Sequence, residues 1–205
     1  MNFECLLYLS IVKLADLIRL DRTIRVVGFD DAPFERNRDR TVSISGIICG
    51  GTRFEGMVWG QIEADGWDAT DTICNLLLGG KFHPQIHLVL LDGIGLGGFN
   101  LVDLPELAER LQRPCVALMR RPPNLDKMQQ AMRRLPDFEK RWDRLRRAGP
   151  IHAFHPFYFQ TCQEAPGTIA KVLQVLTDRG HVPEALRLAH LIGSAVITGE
   201  SGYRA

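Results

Sequence analysis

From residue 24 to residue 63 the chain alternates like a set of strands. Residues 24–30 form an apolar run, 41-TVSISGIIC-49 alternates with β-branched residues, and 53-RFEGMVWGQIE-63 carries Phe54, Met57 and Trp59 among polar neighbours, the pattern of a half-exposed strand. The short polar links between these runs predict antiparallel hairpins. The period then changes. A helix over 69–78, stopped by Gly79-Gly80, precedes a buried strand 86-IHLVLLD-92, a helix 104–112, a strand 114-PCVALM-119 and a helix 124–134, each bounded by capping or breaking residues. A charged helix 137–148, a strand 151–159 and helices 167–178 and 183–198 complete the order. The opening 5-CLLYLSIVKLADLIRL-20 is interrupted by Lys13, Asp16 and Arg19, so it predicts an amphipathic helix rather than a signal peptide. No other stretch reaches the ~18 uninterrupted apolar residues of a membrane span. The expected organisation is an N-terminal helix or extension over 1–22 and a single domain over 23–202, in a cytoplasmic protein without membrane contact.

Three antiparallel strands followed by alternating helix and strand is the element order of the ribonuclease H-like fold. The expectation is therefore an α/β mixed five-stranded sheet with helices on both faces, plus a C-terminal strand and helices. In that order the fourth strand lies parallel to the first and beside it, so Asp30 and Asp92, which end those strands, meet at the carboxyl edge where open α/β sheets bind ligands. Two carboxylates so placed repel one another unless a cation neutralises them. A hard divalent ion such as Mg²⁺ or Mn²⁺ suits oxygen donors. Asp31 follows Asp30 directly, and alternation along a strand turns the two to opposite faces, so Asp30 is the chosen ligand. A third acid is expected from Asp65, Asp68 or Asp71, with Asp68 first; Asp68 and Asp71 also read as a helix cap with an acidic first turn.

The run 93-GIGLGG-98 matches G-x-G-x-x-G after a strand. A dinucleotide fingerprint would need an acid closing the next strand, and that strand ends in Arg120 and Arg121. The glycines are read instead as a loop permitting close backbone approach, which makes Gly93 and Gly95, with Arg120 and Arg121, candidates to hold a phosphate.

Composition narrows the classes. The 205 residues are 45% hydrophobic and 24% charged with a formal net charge of +1, so any polyanion site must be local. The five cysteines are scattered and odd in number, which fits reduced core residues rather than a disulfide framework. Ten Lys or Arg against four Asp or Glu lie between Met119 and Arg147, read as a solvated helix face with Phe138, Trp142 and Leu145 on its apolar stripe. The six histidines make no zinc pattern, and His190 is read as a partly buried helix histidine.

The motifs 28-GFDDAPF-34, 65-DGWDAT-70, 91-LDGIGLGGFNLVD-103 and 183-PEALRLAH-190 resemble the domain-of-unknown-function family numbered 99, itself similar to endonuclease V. The resemblance spans residues 24–202. It implies a ribonuclease H-like fold and Mg²⁺-dependent cutting of DNA or RNA, with Asp30 and Asp92-Gly93 at the metal, Asp68 near the position of a helix-start glutamate and Arg120 where a lysine is usual. Two features of endonuclease V find no counterpart: the aromatic-proline wedge, absent from 60-GQIEADGWDAT-70, and the late catalytic histidine, which falls near 160-QTCQ-163. The expected function is a metal-dependent phosphodiesterase acting on nucleic acid. The alternative is a non-catalytic nucleic-acid or nucleotide-binding protein that has lost that chemistry.

Overall fold

The computed structural model describes residues 13–36 and 38–202. Strands β1 (Arg25–Asp31), β2 (Thr41–Gly50) and β3 (Arg53–Glu63) form an antiparallel meander. Helix α2 (Ala69–Leu77) then returns the chain so that β4 (Leu88–Asp92) adds parallel to β1. A two-stranded hairpin of β5 (Gly95–Leu96) and β6 (Asn100–Leu101) leads into α3 (Leu104–Leu111) and β7 (Cys115–Met119), which lies parallel to β4. Helices α4 (Leu125–Met132) and α5 (Phe138–Arg147) follow, then β8 (His152–Phe154), β9 (Phe157–Cys162), α6 (Pro166–Val175) and α7 (Glu184–Thr198). A short helix, α1 (Leu14–Arg19), precedes β1 and buries Leu14 and Leu17; residues 5–12 of the expected N-terminal helix lie outside the described residues.

The main sheet has seven strands in the order β3-β2-β1-β4-β7-β9-β8, so the expectation of five is corrected. The difference arises in 151–159, which was expected to be one strand. Pro156 cannot donate to a ladder, and the chain turns there, so that β9 runs antiparallel to β7 and β8 folds back on β9. The GxGxxG run also differs from a loop, because it builds the β5–β6 hairpin.

Pleating sorts the strand residues into two cores. Val27, Phe29, Val89 and Leu91 are buried with α2 and α3, whereas Val26, Leu88 and Leu90 are buried with α1, α6 and α7. Both faces of β1 and β4 are therefore covered, which explains their near-continuous apolar sequences. No described helix is long and apolar enough to cross a membrane.

Helix α7 sits unusually close to β1. A Cβ at Gly28 would stand 2.8 Å from the backbone of both Ala185 and Leu186, and one at Gly193 would meet Ala32 at 3.3 Å. The buried Ser45 hydroxyl, on β2, donates to the Ala189 carbonyl at 3.1 Å and ties the same helix to the sheet. Gly28→Ala is expected to lower stability by about 1–3 kcal/mol, because the methyl group meets backbone rather than a yielding side chain. Gly167→Ala, in α6 with nothing within 4 Å, should be neutral or stabilising by up to ~1 kcal/mol. Urea unfolding of both variants measures the contrast; equal effects would remove the close approach as the cause.

Candidate active site at the carboxyl edge of the sheet

The parallel register of β1 and β4 matches Val26 with Leu88 and Gly28 with Leu90. The next equivalent pair on that face is Asp30 and Asp92, on strands that neighbour at ~4.8 Å. Asp92 is matched with Leu118 of β7, and Arg120, two residues later, returns to the same face and donates from Nη2 to Asp92 Oδ2 at 3.0 Å. From above, α7 brings His190, whose Nδ1 is 3.0 Å from Asp30 Oδ2. Asp30 is only 4% exposed, and its other oxygen accepts the Asp31 N–H at 2.9 Å. Burial of this carboxylate is thus matched by hydrogen bonds on both oxygens.

Asp31 faces the opposite side of the sheet, as alternation requires, yet it lies at the strand end and still lines the cleft. Its Oδ2 accepts the Gly97 N–H at 3.0 Å. Gly97 has φ +58, a conformation that glycine adopts without penalty, and its carbonyl accepts the Asp65 N–H. Asp65 Oδ1 in turn accepts the Phe99 N–H at 2.6 Å. The GxGxxG hairpin therefore reaches the cleft by fastening Asp31, and Gly97 supplies the contact.

Together these groups border an open cleft of about 530 Å³, lined by Asp30, Asp31, Pro33, Phe34, Asp92, Arg120 and His190. Three carboxylates share it with one arginine and one histidine. Burial, then the charge of Asp30, raises the Asp31 pKa from 3.8 to about 6 against the pull of the Gly97 N–H. Burial and Asp30 also raise the Asp92 pKa, opposed by Arg120. The His190 pKa is raised by its hydrogen bond to Asp30, with burial acting against it. Each group thus retains its proton to higher pH than in water.

The remaining sequence candidates lie elsewhere. Asp68 accepts the Glu63 N–H at 3.1 Å and the Asn100 Nδ2–H at 2.6 Å, and it is not among the residues lining the cleft. Asn100 explains this position: fully buried, it also accepts the Ala69 N–H at the start of α2 and donates to the Glu63 carbonyl. Asp71 pairs with Arg110. Gly93 spends its N–H on the Leu91 and Leu118 carbonyls, so that amide is not presented as a phosphate cradle, and Gly95 stands opposite Leu101 in the hairpin and does not line the cleft. Arg121 is exposed and does not line the cleft. Arg120 does.

Two cleft residues escaped the sequence reading, Asp31 and His190. A signal for His190 was present, because Ala185, Ala189 and Gly193 recur every four residues and mark the face that α7 presses on the sheet. Among the described residues no three His, Cys, Asp or Glu side chains converge as a preformed ion cage. The donor set is nonetheless that of a hard cation, which commonly takes one or two carboxylates and completes its shell with water and phosphate oxygens.

Residues 22–197 match the family described as Endonuclease dU. A UPF0215 protein of Methanothermobacter thermautotrophicus is 37% identical over 183 residues, which is 87% of this chain and 90% of the relative. A crystal structure of a protein of unknown function from Archaeoglobus fulgidus superposes with a TM-score of 0.81 at 36% identity, covering 86% of this chain and 99% of that one. Ciona intestinalis endonuclease V, solved in complex with a 24mer DNA containing an inosine followed by a ribo-adenosine, superposes with a TM-score of 0.53 at 14% identity over 83% of this chain and 84% of its own. That last likeness is one of fold. These descriptions agree with the motif resemblance at the level of the family and carry no number 99.

The raised pKa of Asp31 has a measurable consequence in metal-free buffer. Its folded pKa of about 6 stands above the unfolded 3.8, so its favourable contribution is complete below about pH 4 and is lost as pH rises through 6. Asp31→Asn, which keeps an acceptor for Gly97, should therefore be more stable than the parent at pH 7.5 by on the order of 1–3 kcal/mol, and the gain should vanish towards pH 4. Urea unfolding with chelator between pH 4 and 8 tests this; a pH-independent difference would contradict it.

Proposed function

Because the chain belongs to the endonuclease dU family, we propose that it is a metal-dependent endonuclease acting on DNA at deoxyuridine, on a ribonuclease H-like framework. The observation that carries the reading is the juxtaposition of Asp30 and Asp92 at the carboxyl edge of two parallel strands, with Asp31 beside them. Asp30 and Asp92 would hold Mg²⁺ or Mn²⁺ together with water and phosphate oxygens, and Asp31 would add its charge from the cleft wall, the part assigned in sequence to Asp68. When bound, the ion would lower the pKa of a water and stabilise charge on the scissile phosphate.

The chain's own residues supply positioning. His190 donates to Asp30 and fixes the orientation of its carboxylate, as partners of metal-binding carboxylates do. Arg120, 37% exposed at its side chain, can exchange Asp92 for a phosphate oxygen by a charge-assisted hydrogen bond. The Gly97 N–H holds one oxygen of Asp31 and leaves the other for the cleft. The complex of Ciona endonuclease V with DNA supports nucleic acid as the partner.

A second reading, binding without cleavage, is favoured by one observation. Asp30 and Asp92 already have His190 and Arg120 as partners, an arrangement that can stand without an ion. Incubation of the protein with deoxyuridine-, inosine- and ribonucleotide-containing strands in Mg²⁺ and in Mn²⁺ separates the two. Scission beside deoxyuridine is expected; survival of every substrate, with retention on a filter that weakens as salt rises, would establish the second.

Substitution distinguishes metal ligands from structural acids. Asp30→Asn and Asp92→Asn should each weaken Mn²⁺ binding at least about tenfold while the protein still folds, and relief of carboxylate repulsion should leave metal-free stability equal or slightly higher. Asp68→Ala should instead cost about 1–2 kcal/mol through the donors it strands and leave Mn²⁺ affinity unaltered. Calorimetric Mn²⁺ titration with thermal melting measures both; an Mn²⁺ affinity that falls only in Asp68→Ala would reverse the assignment.

A further inference from the structure

We infer that the free edge of β3 docks a second copy of this chain, the two β3 strands pairing antiparallel about a two-fold axis so that one sheet runs through both molecules. None of the cleft residues takes part. The main sheet ends in β8 on one side and in β3 on the other, and the two edges are built differently. β8 has only three residues and is closely followed by Pro156, devices by which natural sheets close an edge to other chains. β3 has eleven residues with neither proline nor lysine, a length of roughly 35 Å. Among the described residues no strand pairs with its outer side.

The end of the strand shows which backbone groups are free. The Ala64 N–H donates to the Arg40 carbonyl at the β2 side, whereas the Glu63 N–H turns away from β2 to Asp68. Bonded and unbonded positions alternate along an antiparallel ladder, so Met57, Trp59 and Gln61 also turn their N–H and C=O groups outward. The side chains of Met57 and Trp59 share the sheet face of their β2 partners Ile47 and Ser45, and the register shift between Ile48 and Cys49 brings Phe54 to that face beside Cys49. Phe54 is 49% and Met57 37% exposed. The other face is covered by the chain itself, with Leu76 against Gly60 and Phe82 against Gly56.

Two-fold pairing must match outward groups with outward groups, which leaves two central registers. One centred on Trp59 sets Glu55 opposite Glu63, and like charges across a ladder are destabilising. The other, centred on Val58, sets Met57 opposite Trp59 and Gly56 opposite Gly60, and it brings Glu63 to the hairpin end that carries Arg53. Both of these charged side chains are exposed. The edge is thus complementary to itself in charge and in apolar surface, which names a second copy as the occupant. Antiparallel pairing turns that copy end for end, so the two acidic clefts open at opposite edges of the joined sheet and each works alone.

Sedimentation velocity at micromolar concentration and low salt tests this on the wild type, Met57→Lys, Arg53→Glu, Glu63→Arg and the double reversal Arg53→Glu with Glu63→Arg, while melting confirms that each variant folds. The wild type should sediment at twice the 23.1 kDa of one chain. Met57→Lys places on the edge the charge that natural edges use against pairing, and each single reversal sets like charges across the axis, so each should weaken association at least about tenfold. The double reversal should restore the dimer. Arg53 and Glu63 stand at opposite ends of one strand, about 33 Å apart, so they do not meet within a chain and recovery can come only from contact between copies. A monomeric wild type would give the edge to a different chain and overturn the inference. A dimer that Met57→Lys leaves intact would overturn it too, as would a folded double reversal that associates no better than the single ones.

Discussion

The close seating of α7 on β1 is the constraint from which the candidate site follows. Because Gly28 has no side chain, the helix backbone at Ala185 and Leu186 can lie where a Cβ would otherwise stand at 2.8 Å. That approach lets Ser45 reach the Ala189 carbonyl and carries His190 over Asp30. A wider gap would leave Asp30 buried with one oxygen unmet, and an ionised group without partners in a protein interior is strongly destabilising. The glycine therefore acts on electrostatics through packing.

The same edge concentrates more negative charge than its partners neutralise. Asp30, Asp31 and Asp92 face one arginine and one histidine across the cleft, and the raised proton affinities of Asp31 and Asp92 follow from burial and from Asp30. Such an arrangement stores unfavourable energy that a proton or a cation can relieve, and perturbed carboxylates in a cleft are characteristic of functional sites. The strain is tolerated because rigid elements hold each acid. Two parallel strands present Asp30 and Asp92, and the β5–β6 hairpin fastens Asp31.

Much of the fold was legible because strand and helix periods differ and the breakers stand in the right places. The meander, the parallel return of β4 and the meeting of Asp30 with Asp92 all follow from element order. Features set by long-range contact were not legible. Alternation assigned Asp31 to the wrong face for a shared site, correctly for the strand but not for the strand's end, where the cleft takes residues from both faces. Asp68 carries the signature of a helix cap, and only the buried Asn100 reveals that its carboxylate is already engaged. Arg141 sits in a run that reads as a solvated surface, yet it is 2% exposed and donates to the carbonyls of Asp65, Gly66, Phe99 and Pro136. No local pattern announces four carbonyls converging from three separate segments.

That His190 comes from the last described helix has a consequence for biosynthesis. Asp30 lies 160 residues before it, and β4 and β7 contribute the intervening members, so the cleft is closed by a contact of very long range. During synthesis the sheet edge can form while α7 is still inside the ribosome, but Asp30 then lacks its imidazole and β1 lacks the cover over Gly28. Long-range closure of this kind comes late in folding. The acids are therefore not completed as a site until α7 has emerged, and a ribosome stalled before α7 would carry a nascent sheet without its finished centre.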